Sequence, residues 1–311
     1  MRLHYLLVLP VMAVVLASGC TIPGMGTAIA GGKGIVVESF EPDFNQIYST
    51  ESVQLSLKLR NAGSVDGELK SIQITGVDWS GQNDFGGSTG TGSCSKIYGK
   101  MLPAVPSKGM TGETKSCTIE LKPRQGEVLD GLSVTFYPVA RVMYHYSTST
   151  AKSITMGTSQ ELRAVMNNGG TLPADTVSTT SGPLAIDVIS KSPVRVSDAG
   201  VDFPIEIHVS NVGGGIPCTD CSDAQNWYKV KLNVNNPEGL SFADSTCEGG
   251  DITLWRGKDN TIGCKIHADA SSVAGRVQKI ITVTADYDYI TDAQTSVTVT
   301  GQSSNSNGFI S

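Results

Sequence analysis

The chain is poor in charge, in histidine and in aromatic side chains. Asp, Glu, Lys and Arg make up 17% of its 311 residues, aromatics 6%, and histidines number 4. With 23 basic against 29 acidic residues the formal net charge is −6, so no broad basic surface exists to hold a polyanion. That argues against nucleic acid as a partner. No Asn-x-Ser/Thr triplet occurs, so the standard N-glycosylation acceptor is missing. Gly-x-Ser-x-Gly, phosphate-loop and EF-hand patterns are also absent, and no histidine has a second at metal-ligand spacing. No catalytic residue, cofactor or metal site is therefore assigned, and the chain reads as non-enzymatic. It also lacks a long apolar stripe of period 3.6, so helix content should be low. Present instead are 35 glycines, Ser and Thr throughout, and 39% hydrophobic residues, enough for real cores. The length suits two ordinary domains. The 7 cysteines are an odd number, and the N-terminus accounts for the odd one.

Residues 1–19 read as an export signal. Arg2 supplies a positive start, Leu6 to Leu16 form an apolar run broken by Pro10, and Ala17-Ser18-Gly19 precede Cys20. The run is too short to span a bilayer core of about 30 Å. Small residues ending in Gly-Cys resemble the lipobox of prokaryotic lipoproteins, although Ala17 stands where that family more often has Leu. The resemblance implies cleavage before Cys20 and a lipid on its sulfur, hence a membrane partner through that lipid. The mature chain would carry 22 basic and 29 acidic residues, a net of −7. Residues 20–34 (Cys20, then TIPGMGTAIAGGKG) read as a flexible tether.

The rest is a diverged repeat with an offset of about 145–150 residues. GIVVESFEP from Gly34 matches PLAIDVISKSP from Pro183, each a short alternating strand ended by Pro. SVQLSLKLRNAG (Ser52 to Gly63) matches DFPIEIHVSNVG (Asp202 to Gly213), apolar at every second position and closed by Asn-x-Gly. CTIEL from Cys117 matches CKIHA from Cys264. In the last segment Leu132, Val134, Phe136, Pro138, Ala140, Val142, Tyr144 and Tyr146 share one face. Ile281, Val283, Ala285, Tyr287 and Tyr289 do the same in the second unit. Each Tyr-x-Tyr is expected to lead through a short polar turn into a final strand, so that each unit ends in its own hairpin. The units are placed at 35–157 and 183–301, with a polar linker over 158–182 and a disordered tail over 302–311. Within the linker, SQELRAVMNN would extend the strand or form one helical turn.

The pattern predicts an all-β chain of two tandem β-sandwiches. It resembles immunoglobulin-like surface domains of prokaryotes, archaea included, especially the adhesion-related type whose strand ends in the Asn-x-Gly motif quoted above. Trp79, Trp227 and Trp255 do not give the Cys…Trp…Cys spacing of true immunoglobulin domains. The resemblance implies a lipid-anchored protein on the outer face of a membrane. It would serve in adhesion, in contact with a surface protein or glycan, or as a spacer. A solute- or metal-binding lipoprotein and a filament subunit are the alternatives.

Six cysteines remain after Cys20. The repeat equates Cys94 with Cys247 and Cys117 with Cys264, which favours Cys94–Cys117 and Cys247–Cys264 disulfides and leaves Cys218 and Cys221 as a local pair. Export suits such bridges. The Cys-Thr-Asp-Cys pair is read as a structural disulfide, with half a zinc site or a redox motif as its alternatives. His145 is expected to point to solvent, as are His208 and His267. Asp286, Asp288 and Asp292 are expected to be solvated strand-face acids, with a calcium site between domain loops as the alternative. Trp79 and Phe85, flanking a Gly-rich connection, are either a contact patch or core.

Overall fold

Val53, Leu55, Leu57 and Leu59 are fully buried while the residues between them face outward. Such a strand has one dry and one wet face and must find a second layer to cover it. The structure, a computed structural model, describes residues 34–80, 94–273 and 275–302. The expected signal, Cys20 and most of the tether lie outside these residues. So do Phe85 and the tail beyond Gln302.

The first repeat contributes β1 (Ile35–Pro42), β2 (Gln46–Tyr48), β3 (Val53–Asn61), β4 (Gly67–Thr75), β5 (Gly99–Met101), β6 (Thr114–Leu121), β7 (Ser133–Phe136) and β8 (Val139–Thr158). Helix α1 (Ser159–Asn167) and β9 (Val177–Thr179) follow. The second repeat contributes β10 (Leu184–Ser190), β11 (Val194–Val196), β12 (Val201–Asn211), β13 (Ile216–Cys218), β14 (Lys229–Asn235) and β15 (Leu240–Phe242). It ends with β16 (Gly250–Thr253), β17 (Asp259–Ala268), β18 (Arg276–Gln294) and β19 (Val297–Thr300).

The result is an all-β sandwich fold. Sheet β1-β3-β6 and sheet β10-β12-β17-β15 are the repeat's two copies of one layer. The other layer is shared: β16-β14-β18-β8-β4-β5 run side by side through both repeats, with β9, β11 and β13 attached. Leu55, Leu57 and Val142 of the first repeat and Ile207, Ile266 and Val283 of the second belong to one contiguous buried cluster.

The expected hairpins do not form. β8 runs straight through Ser147–Thr150, and β18 runs through Ile290–Ala293. The two pair antiparallel from Val139↔Gln294 to Gly157↔Arg276. The repeats thereby exchange their last strands. The end of β8 lies parallel to β11 of the second repeat (Met156↔Val194), and β19 lies parallel to β2 of the first (Thr298↔Gln46). The cause is local. A tight hairpin wants Asn-Gly or another glycine at positive φ, and neither 147–150 nor 290–293 has one. Thr148 and Thr150 are β-branched, fully buried and hydrogen-bonded, Thr148 to the Tyr287 hydroxyl (2.7 Å) and Thr150 to the Ile186 carbonyl (2.8 Å). Both features favour extended backbone.

Three smaller points are decided by the structure. SQELRAVMN is a nine-residue helix. Thr158 caps it by accepting from the Glu161 amide (3.3 Å), and buried Leu162 anchors it; Thr-x-x-Glu is the spacing of a capping-box sequence. Leu132 and Val134 are exposed, because β7 is the rim of the small sheet β2-β19-β7 and has cover on one side only. Trp79 is core, 2% exposed, with its ring edge-on to Phe136.

Candidate functional site

Three disulfides brace the described residues: Cys94–Cys117, Cys247–Cys264 and Cys218–Cys221. The first two are related by the repeat, each tying a short 3-10 turn to a strand, β6 or β17. Three disulfides belong to an oxidising compartment. Among the described residues no helix is long and apolar enough to cross a membrane, and no cluster of His, Cys, Asp and Glu has the geometry for a metal ion.

The seam where the repeats meet is built on tyrosine. Tyr144, Tyr146, Tyr287 and Tyr289 are buried, with neighbouring ring centroids 5.6–6.5 Å apart. Each hydroxyl has a partner within its own half or across the seam. Tyr289 donates to Asn211 Oδ1 (2.7 Å) and accepts from the Gly215 amide (2.7 Å). Tyr146 donates to the Ser181 carbonyl (3.1 Å). Burial pushes the Tyr146 and Tyr289 hydroxyls up to about 12, so they stay protonated donors. The Asn-x-Gly motif explains the close fit. Asn61 and Asn211 each cross-brace a turn through two side-chain N–H bonds. Gly63 and Gly213 leave space for the tyrosine oxygens, since a Cβ at Gly63 would sit 1.8 Å from Tyr146 Oη.

The outward face of the shared sheet holds the polar chemistry. Asp288 is not a solvated acid: it is 8% exposed and bonded at both oxygens by Lys70 Nζ (2.7 and 2.8 Å). His145 is half-buried, with Nδ1 3.0 Å from Asp288 Oδ1 and Nε2 3.5 Å from Asp286 Oδ2. Sequence alternation gave the face correctly, but not the depth, which comes from Lys70 on the neighbouring strand β4. The Asp288 hydrogen bond raises the His145 pKa against the opposing effect of burial, and Asp286 adds to the rise. Burial pushes Asp288 up, but the bonds from His145 and Lys70 prevail and hold it below the usual carboxylate range.

The sign of the pH dependence follows. A raised histidine stabilises fully below its unfolded pKa of 6.5, and that contribution fades as pH climbs through the folded value. A depressed aspartate contributes above 3.8 and is lost as pH falls through its folded value. The cluster therefore supports the fold most between these limits. His145→Asn should lower the thermal midpoint more at about pH 5.5 than at about pH 8.5. Equal losses at both pH values, measured by circular dichroism, would contradict the ion-pair geometry.

Beside this cluster the repeats differ in the length of one connection. The first repeat passes from Asn61 of β3 to Gly67 of β4 directly, whereas the second takes from Asn211 of β12 to Lys229 of β14, about 12 residues more. The insertion carries Cys218 and Cys221. β13 pairs with β18 (Cys218↔Asp288), and Trp227 Nε1 donates to the Cys221 carbonyl (3.3 Å). Cys218, Cys221 and Ile290, with Met143, Ile216 and Trp227 against them, form a small apolar cluster separate from the main core. Under the loop is a recess of about 360 Å³. The loop side presents Cys221, Ser222 and Trp227, and the sheet side presents Ser71, Gln73, Arg141, Met143 and Ile290. Arg141 is held by Asp292 through two hydrogen bonds (Nε–Oδ1 3.0 Å, Nη2–Oδ2 2.8 Å). The residue spacing did not reveal this recess, because its walls come from four separate stretches of both repeats. The signal available was the insertion itself.

No family model and no curated protein matches the chain. Among solved structures it is similar to elastase-activated Escherichia coli α2-macroglobulin at 7% identity, covering 84% of this chain and 32% of that one, with a TM-score of 0.20. It is also similar to the secreted serine protease VesC from Vibrio cholerae, at 10% identity, 84% and 51% coverage and a TM-score of 0.19. The collagen binding domain of Erysipelothrix rhusiopathiae surface protein RspB matches at 9% identity, 88% and 98% coverage and a TM-score of 0.13. The chain thus spans about a third and about half of the first two proteins. Scores this low define no shared fold.

Proposed function

We propose that the chain is a non-enzymatic, lipid-anchored protein on the outer face of the cytoplasmic membrane or on an outer membrane. Its two sandwich units, 35–157 and 183–301, would form one stiff binding and spacing element. The observation that carries this reading is the continuous sheet: the antiparallel pairing of β8 and β18 along almost their whole lengths leaves no hinge between the repeats. A contact protein held on a flexible tether needs such a body to present a surface at a fixed distance. The three disulfides and the export-type N-terminus agree with an extracytoplasmic location.

Intact mass of protein taken from native membranes, with thiol alkylation before and after reduction, tests the anchor. The expected result is a chain beginning at Cys20 with a lipid-sized excess and no alkylated cysteine until reduction. Labelling of whole cells with a membrane-impermeant amine reagent should reach it. A mature chain without lipid, or one shielded in intact cells, would overturn the reading.

A further inference from the structure

The length of the inserted loop is not required to join its two strands, since the first repeat closes the same connection with five residues, 62–66. Ordering about 12 extra residues costs conformational entropy, yet this loop is stapled by Cys218–Cys221 and strand-paired to β18. It also reaches across onto β4 and β8, strands of the other repeat, to close the recess. Such a feature has its explanation in what it covers.

The walls define the ligand. Part of the lining is apolar and aromatic, made of Trp227 from the loop and Met143 and Ile290 from the sheet. The rest of the lining is polar and without net charge. Asp292 neutralises Arg141 through Nε and Nη2, which leaves Nη1 with no partner among the described residues. The Gln73 amide and Ser71 hydroxyl likewise have no hydrogen-bond partner among the described residues, and both line the recess. Polar groups that the protein leaves free, beside an aromatic side chain, match a molecule with one apolar ring face and a rim of hydroxyls. A charged ligand would have to compete with the Arg141–Asp292 pair, and a purely apolar one would strand Gln73 and Arg141 unpaired. At about 360 Å³ the space lies at the small end of ligand clefts, room for a short saccharide stretch.

We propose that this recess binds a neutral saccharide, with a sugar ring against Trp227 and its hydroxyls on Gln73, Ser71 and Arg141. The proposal rests on the reading of the chain as a surface contact protein and gives that contact its chemistry.

The test is titration of the full mature chain with oligosaccharides of glucose, galactose, mannose and N-acetylglucosamine, followed by calorimetry and tryptophan fluorescence. Saturable binding by at least one, unchanged when salt is raised several-fold, is expected. Trp227→Ala and Gln73→Ala should each weaken it at least tenfold while keeping the thermal midpoint near wild type. Trp255→Ala should leave it unchanged, since Trp255 is 71% exposed and lies outside the recess. Absence of saturable binding across the panel overturns the proposal, as does binding that survives Trp227→Ala or disappears with salt. Each of these results leaves the lipid anchor and surface exposure to their own test, so the two failures are distinguishable.

Discussion

Tyr287→Ala should destabilise the whole chain by about 4 kcal/mol and unfold both repeats together. The magnitude follows from deleting a buried aromatic ring, which typically costs about 3–5 kcal/mol. Tyr287 is 1% exposed, and its hydroxyl meets Thr148 of β8 (2.7 Å) and the Leu184 amide at the start of β10 (3.3 Å). Removing the ring therefore opens a cavity at the seam and strands two polar groups. The cooperative part of the expectation comes from the strand exchange. Each repeat's sandwich contains the other repeat's last strand, so neither can lose that strand and remain closed. Urea unfolding followed by far-UV circular dichroism and by tryptophan fluorescence should give coincident single transitions, both displaced in the variant. Tyr287→Phe, which loses only the hydroxyl, should cost about 1 kcal/mol. Two separate transitions, with one unmoved by Tyr287→Ala, would mean that the repeats are independent and the shared sheet is wrong.

Replacing Cys94 and Cys117 together by Ala, or Cys247 and Cys264 together, should cost about 3 kcal/mol each. The bridges close loops with sequence separations of 23 and 17, and most of the effect is loss of constraint on the unfolded chain. Cys94 and Cys247 are fully buried, so the variants also leave small gaps in the core. The Cys218–Cys221 bridge behaves differently. It spans a separation of 3 and belongs to the satellite cluster under the loop. Its removal should lower global stability by no more than about 2 kcal/mol but free the loop over the recess. Chemical denaturation of the three double variants, with hydrogen exchange at Trp227 and Tyr228, separates these effects. Equal global losses for all three pairs would show that the loop is part of the fold's main support.

The alternation of Val53 to Leu59 and of Phe203 to Val209 was enough to specify strands, their buried face and the sandwich class, because a period of two leaves no other way to hide those side chains. The internal repeat was legible for the same reason. Asn61 and Asn211 mark the same turn in both copies, and the cysteine positions repeat with them. The polar, Gly-rich character of residues 81–92 and the apolar run of the N-terminus were equally plain in composition, without any knowledge of contacts.

What the residues alone left open was which strand pairs with which. A closed hairpin and an exchanged strand bury the same apolar face and satisfy the same backbone hydrogen bonds, so periodicity weighs them equally. The decision lay in the absence of a turn-forming glycine at 147–150 and in the bonds of Thr148 and Thr150 to partners more than 30 residues away. Depth is likewise a tertiary property. Asp288 occupies an outward position by alternation, and only Lys70 and His145, drawn from two other strands, make it a buried acid. The recess beside it has no sequence signature because its apolar and polar walls come from β4, β8, β18 and the inserted loop. The local sequence determined what each segment is, and the pairing of distant strands decided which surfaces those segments build together.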